Sequence, residues 1–384
     1  MSERISVLLM IGSLAGGGSE RQMIGIAKML DRTKFRPVLF LIYASGELLK
    51  EVPADVPVYA YWQDQKPFRF NYPGRILRDQ KRYLEKVLRK ESIDVLYSRT
   101  YPMALVAGPV TKRLGVPHLP TIVVDPASML RDSKERWMRL KLLLLKRAYH
   151  DSELVLTVSE GVREAAIAFY DLPPPHVRRM INSLDLERLD RLAEQPFDHF
   201  RPGRFHIVHA GRFVSQKGHR YLFEAIAELV RRGHRELSVH LYGEGPDQDS
   251  LQQLVAKLGL QDHVELNPYL VNVLPAIKNA DLFCLPSLYE GMPNALLEAV
   301  ALGIPVVSTD CPSGPREILN EGELGRLVPV ADSVAMADAI AEVIENKQAA
   351  FEWAARAKKE IRARFDPAAV TPVLEQILES AVGS

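Results

Sequence analysis

The chain has 384 residues, enough for two domains that each bury a core, and its 47% hydrophobic and 25% charged residues are the balance of an ordinary water-soluble fold. No apolar run is long enough to span a bilayer, residues 1–4 lead into a strand rather than a signal peptide, and the two cysteines, Cys284 and Cys311, show no metal spacing, so a reducing cytoplasm is expected. The net charge of +1 hides an asymmetry: residues 61–150 hold 19 Lys or Arg against 8 Asp or Glu, which suits an anionic surface or acceptor.

A short apolar strand is expected over 5–10, then a glycine-rich turn from Gly12 through Gly16, Gly17 and Gly18 to Arg21, then an amphipathic helix to Leu30. A dinucleotide site would want G-x-G-x-x-G and an acidic residue closing the next strand. Here Gly16-x-Gly18 is followed by Arg21, and the strand over 38–42 ends in Tyr43-Ala44-Ser45. The Gly-Lys-Ser/Thr of a P-loop is also missing, so Gly16 and Gly17 are read as facing a cleft. Strand 58–61, helix 72–91, strand 94–97, a helix to Leu114, and strands 119–124 and 154–158 then alternate. That alternation predicts a doubly wound parallel sheet with right-handed crossovers. Polar residues 191–204, with Pro196 and Pro202, read as a linker.

The second half repeats the alternation. Strand 205–209 runs into Ala210-Gly211-Arg212-Phe213-Val214-Ser215-Gln216-Lys217-Gly218 and a helix. Lone Arg and Lys are usually surface residues, but here Arg212 and Lys217 bracket a helix N-terminus, where two fixed cations and the helix dipole meet at one anion site. Strand 237–241 ends in Tyr242-Gly243-Glu244-Gly245-Pro246. Asp247-Gln248-Asp249 could pass for a metal–diphosphate motif, yet it opens a helix over 247–258, where acids complement the dipole; capping is expected and no metal is required. Strand 264–266 is followed by Asn267-Pro268-Tyr269.

Residues 282–308, LFCLPSLYEGMPNALLEAVALGIPVVS, read as a buried strand (282–285), a loop, a helix (293–302) and a second buried strand (305–308). Pro293 suits the first helical position and Gly303 the stop. A strand feeding a helix N-terminus binds anions. Glu290 and Glu298 flank that position; carboxylates repel phosphate, so they are read as hydroxyl acceptors, although each alone could be a loop or solvated helix residue. A diphosphate with a hydroxyl-rich ring at either end, a nucleotide sugar, fits that layout. A strand over 325–328, helices over 333–345 and 348–364, a break at Asp366-Pro367 and a last helix to about Ala381 complete the chain.

The stretch 282–308, continuing through SGPREIL at 313–319, resembles the E-x7-E segment of the retaining glycosyltransferases of the family-4 type. The resemblance implies a GT-B fold: two Rossmann-like domains facing a cleft, residues 1–195 on the acceptor side and 196–366 binding the donor, with 367–384 crossing back to the first domain. It implies that Arg212 and Lys217, with backbone N–H groups of Asn294, Ala295 and Leu296, hold the donor diphosphate. It further implies that Glu290 and Gly291 meet the sugar, Glu298 the ribose, and Gly243 and Pro268 the nucleotide, with Gly16 and Gly17 near the phosphate. The expected reaction is transfer from a nucleoside-diphosphate sugar, a UDP-sugar first, to a glycan or lipid-linked acceptor with retention, and with no cofactor. Many family members carry a His after the strand over 119–124; this chain has Asp125-Pro126-Ala127-Ser128, leaving Asp125 as the substitute, with Ser98-Arg99-Thr100 beside it.

Within the basic stretch, Arg131, Lys134, Arg136, Arg139, Lys141, Lys146 and Arg147 alternate with Met129, Leu130, Trp137, Met138, Leu140 and Leu142 to Leu145, while Trp62, Phe68, Phe70 and Tyr72 lie among Lys66, Arg69 and Arg75. This pattern suits either a solvated helix over a core or a peripheral helix on the inner face of an anionic membrane. No nucleic-acid module is present in the sequence. The competing readings are a nucleotide-sugar 2-epimerase of the same fold, a silent membrane-docked partner of another transferase, and a nicotinamide dehydrogenase, the last weakened by the failed glycine fingerprint.

Overall fold

The structure is a computed structural model that describes residues 4–64, 74–131 and 137–383. The chain divides into two compact units, one of residues 1–183 with 367–384 and one of residues 184–366.

The first unit carries β1 (Ile5–Ile11), β2 (Phe35–Leu41), β3 (Val58–Ala60), β4 (Val95–Arg99), β5 (His118–Ile122), β6 (Val155–Thr157) and β7 (Val177–Arg179). Its helices are α1 (Gly18–Met29), α2 (Tyr61–Asp64), α3 (Arg75–Lys90), α4 (Tyr101–Leu114), α5 (Pro126–Arg131), α6 (Met138–His150) and α7 (Glu160–Tyr170). The strands pair in parallel in the order β3-β2-β1-β4-β5-β6-β7. Successive residues of a strand point to opposite faces, so β1 feeds two cores: Val7, Leu9 and Ile11 pack toward α1, while Leu8 and Met10 pack toward α3 and α4.

The second unit carries β8 (Phe205–Ala210), β9 (Leu237–Tyr242), β10 (Val264–Asn267), β11 (Leu282–Leu285), β12 (Val306–Thr309) and β13 (Arg326–Val328). Between and around them run α8 (Leu186–Ala193), α9 (His219–Arg231), α10 (Gln248–Lys257), α11 (Leu274–Lys278), α12 (Asn294–Leu302), α13 (Pro315–Ile318), α14 (Ser333–Glu345) and α15 (Lys347–Arg364). This sheet is also parallel, in the order β10-β9-β8-β11-β12-β13. The chain then enters α16 (Pro367–Val382), which gives Val370, Leu374, Ile377, Leu378 and Ala381 to the core of the first unit.

Both sheets thus follow the doubly wound pattern, and both are parallel α/β units of Rossmann type. Several boundaries differ from the sequence reading. The polar stretch read as a linker begins inside a helix, because Asp185 caps α8 by accepting from Arg188 N at 2.9 Å and Leu189 and Ala193 are buried. Since α8 packs on α11 and α12, the first unit ends at 183 rather than 195. Strand β7 is three residues with two exposed arginines, too short and too polar to show in a hydrophobic pattern. The basic region forms α5 and α6 rather than one continuous helix; Phe68, Phe70, Tyr72, Lys66, Arg69, Lys134 and Arg136 lie outside the described residues, as do the side chains of 129–131.

Candidate functional site

In a doubly wound sheet, ligands bind outside the carboxyl ends of the strands where the strand order reverses. In the second unit that point lies between β8 and β11, so the loops following them, 211–218 and 286–293, are the ones to examine.

The two loops are stitched together by backbone. Gly218 takes φ +63°, and a Cβ there would lie 2.0 Å from Pro286 O, so only glycine lets the first loop lie directly on the second. Leu288 N donates to Gln216 O at 2.8 Å, and the Gln216 side-chain amide donates to Tyr289 O at 2.9 Å. The consequence is a contact between residues 73 apart in sequence: Lys217 Nζ donates to Glu290 Oε1 at 2.6 Å. Ser287 Oγ donates to the same oxygen, also at 2.6 Å. The Lys217 and Glu290 side chains are 17% and 8% exposed, so this is a sheltered ion pair rather than a surface one. Its other oxygen, Oε2, takes no part in these two hydrogen bonds. Ser313 Oγ donates to Glu290 O at 2.9 Å, which fixes the backbone of the loop as well. Ser287 and Ser313 were missed by sequence reasoning; their placement depends on loop geometry, and serine in a loop carries no distinctive signal.

The second loop ends at α12. Pro293 is its N-cap, with ψ 101° outside the helical region, rather than its first helical residue, and no side chain caps the helix. The first N–H to bond back is that of Leu297, to Pro293 O at 3.1 Å, so Asn294, Ala295 and Leu296 head the helix where N–H groups lack intrahelical acceptors. Glu298 lies one turn further along and is buried. Arg212 is exposed at the start of the first loop, and Gly291 is buried beside Glu290. The structure therefore brings Lys217 onto Glu290, in the loop that continues through Gly291 into the head of α12.

Gly243 and Pro268 end β9 and β10. Gly243 N donates to Asn267 O at 3.2 Å, and a Cβ on Gly243 would lie 1.9 Å from Gly211 O. The glycine is required by the backbone packing under the 211–218 loop. Gly243→Ala should destabilise the fold by at least the ~1–3 kcal/mol of an overpacked core; a melting temperature within a degree of the parent would contradict that close approach. Asp247 stands at the N-cap of α10 with Asp249 in its first turn, although neither makes a side-chain cap hydrogen bond. Cys284 and Cys311 are free and buried, and burial pushes the Cys311 thiol up to about 12.

Gly16, Gly17 and Asp125 belong to the first unit. Gly17 is the N-cap of α1 and Gly16, at φ +111°, turns the chain into it. The Asp125 carboxylate is occupied by the first turn of α5, accepting from Ser128 N at 2.9 Å, from Ser128 Oγ and from Ala127 N at 3.3 Å. That is the work of a helix cap. Ser98 and Arg99 are buried: Ser98 Oγ pairs with His118 Nε2 at 2.8 Å, and the Arg99 guanidinium donates to Asn182 Oδ1 at 2.9 Å and Tyr97 Oη at 3.1 Å.

Comparison with known proteins matches both halves. Residues 16–188 match the family model "Glycosyltransferase Family 4", and residues 192–360 match "Glycosyl transferases group 1". The chain is 29% identical over 223 residues to the N-acetylgalactosamine-N,N'-diacetylbacillosaminyl-diphospho-undecaprenol 4-alpha-N-acetylgalactosaminyltransferase of Campylobacter jejuni, covering 58% of this chain and 59% of that one. It is 29% identical over 198 residues to the lipopolysaccharide core biosynthesis glycosyltransferase LpsE of Rhizobium meliloti, covering 52% and 54%. The chain thus spans about half the length of the curated relatives it matches. Among solved structures, HepE of Anabaena in complex with UDP and glucose superposes with a TM-score of 0.80 at 20% identity, over 98% of this chain and 100% of that one. The sucrose-phosphate synthase of Thermosynechococcus elongatus superposes with a TM-score of 0.81 at 16% identity, over 98% and 99%.

Proposed function

The chain belongs to the glycosyltransferases of the family-4 type, with the GT-B fold, and on that premise we propose that it moves a sugar from a nucleoside diphosphate, a UDP-sugar first, to a hydroxyl of a lipid-linked sugar or cell-surface glycan precursor, with retention at the anomeric carbon. The observation that carries this reading is the Lys217–Glu290 pair at the strand-order reversal, next to the head of α12. Lys217 supplies a fixed cation, and the N–H groups of Asn294 to Leu296 point their positive ends the same way, so a diphosphate leaving group is stabilised as charge builds on it. Arg212, exposed at the loop mouth, adds a second cation that closes on the ligand. Glu290 is held by two donors on Oε1, which suits Oε2 to accept from a sugar hydroxyl. Glu298, one turn into α12, is assigned to the ribose hydroxyls, far enough along the helix to avoid the phosphates. No role in the chemistry is given to Asp125, whose oxygens serve α5.

The donor assignment is supported by the UDP and glucose held by the Anabaena protein, and the acceptor by the diphospho-undecaprenol substrate named for the Campylobacter relative and the lipopolysaccharide core role named for the Rhizobium one. The test is thermal stability of the purified protein with UDP, GDP, ADP and NAD, in the parent and in Glu298→Ala. A ligand at about a hundred times its dissociation constant adds ~2.7 kcal/mol. UDP should raise the melting temperature of the parent by several degrees and that of the variant much less. Stabilisation by NAD and by no diphosphate would overturn the assignment.

A further inference from the structure

Helix α6 presents an outward face that nothing in the transfer chemistry uses. Its inward residues, Leu145, Ala148 and Tyr149, are buried against α4, closely enough that a Cβ on Gly108 would lie 2.7 Å from Ala148 Cβ. Away from that contact, large apolar side chains are open: Trp137 is 75% exposed, Leu143 66%, Leu140 52% and Leu144 39%. Leu140, Leu143 and Leu144 adjoin at helical spacing, and Trp137, the left-handed N-cap residue, stands exposed at the head of the same helix. Scattered exposed leucines need no explanation, but four large apolar side chains exposed on one short helix do.

The helix is also cationic. Within Met138–His150 there are Arg139, Lys141, Lys146 and Arg147 and no Asp or Glu. Among the described residues, Asp171 pairs with Lys146 at 3.3 Å and Asp151 pairs with Lys112 at 2.6 Å and with Arg147 at 3.7 Å, so the cations here still outnumber the acids that meet them. Exposed leucines interspersed with cations complement an interface whose acyl chains lie beneath anionic headgroups. Tryptophan at the head of the helix adds a ring that places its apolar body below that boundary and its N–H at it. Among the described residues no helix is long and apolar enough to cross a membrane, so the attachment is in the plane of the surface.

We infer that α6 is an interfacial docking helix, inserting Trp137, Leu140, Leu143 and Leu144 into an anionic bilayer surface while Arg139 and the helix's excess of positive charge engage its headgroups. This rests on the proposed lipid-linked acceptor and specifies how the enzyme reaches it.

The experiment uses the full chain and sedimentation with vesicles of phosphatidylcholine alone or with phosphatidylglycerol at a third of the lipid. The parent should bind the anionic vesicles at least tenfold more tightly, and added salt should weaken the binding. Leu140→Glu with Leu143→Glu should remove binding, and Leu140→Ser with Leu143→Ser should weaken it about tenfold without introducing repulsion. The UDP-induced rise in melting temperature must be unchanged in both, which separates loss of docking from misfolding and from failure of the donor assignment. Equal binding of the parent to both vesicle types, or undiminished binding by either double variant, overturns the inference. So does concentration-dependent dimerisation of the parent that the leucine variants abolish without affecting vesicle binding, which would assign the exposed leucines to a second copy of the chain.

Discussion

Lys217→Met is expected to lower turnover by about 100- to 1,000-fold, the loss that follows removal of one preorganised donor from a site of developing negative charge. The same change should also cost stability. Lys217 and Ser287 both donate to Glu290 Oε1, and the Glu290 side chain is only 8% exposed, so losing the ammonium leaves a sheltered carboxylate with a single hydroxyl donor. Breaking such a pair from one side costs ~3–5 kcal/mol. The two effects can be pulled apart by Lys217→Met with Glu290→Gln, which removes the stranded charge. That double variant should regain most of the lost melting temperature and none of the lost turnover. Turnover within tenfold of the parent in the single variant would sink the role assigned to Lys217, whatever its stability.

Acid should unfold the protein well before the carboxylates titrate. Burial holds three imidazoles far below the usual histidine value of 6.5: His118 at about 3, His209 at about 4 and His219 at about 2. The geometry explains why none welcomes a proton. His209 Nδ1 faces Cys284 O at 2.9 Å and its Nε2 has no partner; His219 lies edge-on to it with ring centres 4.9 Å apart, and the Nε2 of His219 is also without a partner. His118 has one neighbour, Ser98 Oγ, and its Nδ1 has none. A histidine whose folded pKa is depressed binds its proton more readily when unfolded. Its contribution is therefore complete above 6.5 and is lost as the pH falls toward the folded value, at about 1.4 kcal/mol per pH unit for each group. Between pH 6.5 and 4.5 the three together remove several kcal/mol, a large share of the ~5–15 kcal/mol that a folded chain has to lose. Urea midpoints measured from pH 7.5 to 4.5 should fall steeply below about 6, and His219→Leu should flatten that slope even if its midpoint at pH 7.5 is lower. A midpoint independent of pH down to 4.5 would refute the neutral, buried assignment.

What the sequence made legible was whatever is local. Short apolar runs punctuated by Gly and Pro located β11, α12 and β12 to within a residue, and the alternation of such runs identified both parallel sheets. Glu290 and Glu298 were singled out by their place on either side of one loop–helix junction and by the E-x7-E resemblance, because both lie within one strand–loop–helix unit, and the structure buries both. The engagement of Lys217 with Glu290 was not legible, since it depends on the 211–218 loop lying on the backbone at Pro286, a contact that only the absence of a Cβ at Gly218 permits. The capping by Asp125 was not legible for a related reason: a carboxylate after a strand looks the same in sequence whether or not it caps the next helix, and here Pro126 starts α5 immediately behind it. Pro293 was placed one position too far into its helix because proline serves either position with the same φ.

The position of α16 also bears on how the chain is made. Five of its apolar side chains complete the core built by β1, β2 and α1, yet the ribosome delivers them only after the whole of residues 184–366. At ~5–20 residues per second that interval is ~10–40 s. The unit that emerges first is therefore the last able to close, and until α16 arrives it exposes the apolar ground on which Val370, Leu374 and Leu378 come to rest. The later-made unit is one uninterrupted segment with all its own parts. During synthesis the second unit is free to mature ahead of the one that precedes it, and the nascent chain's need for protection from aggregation falls on its N-terminal half.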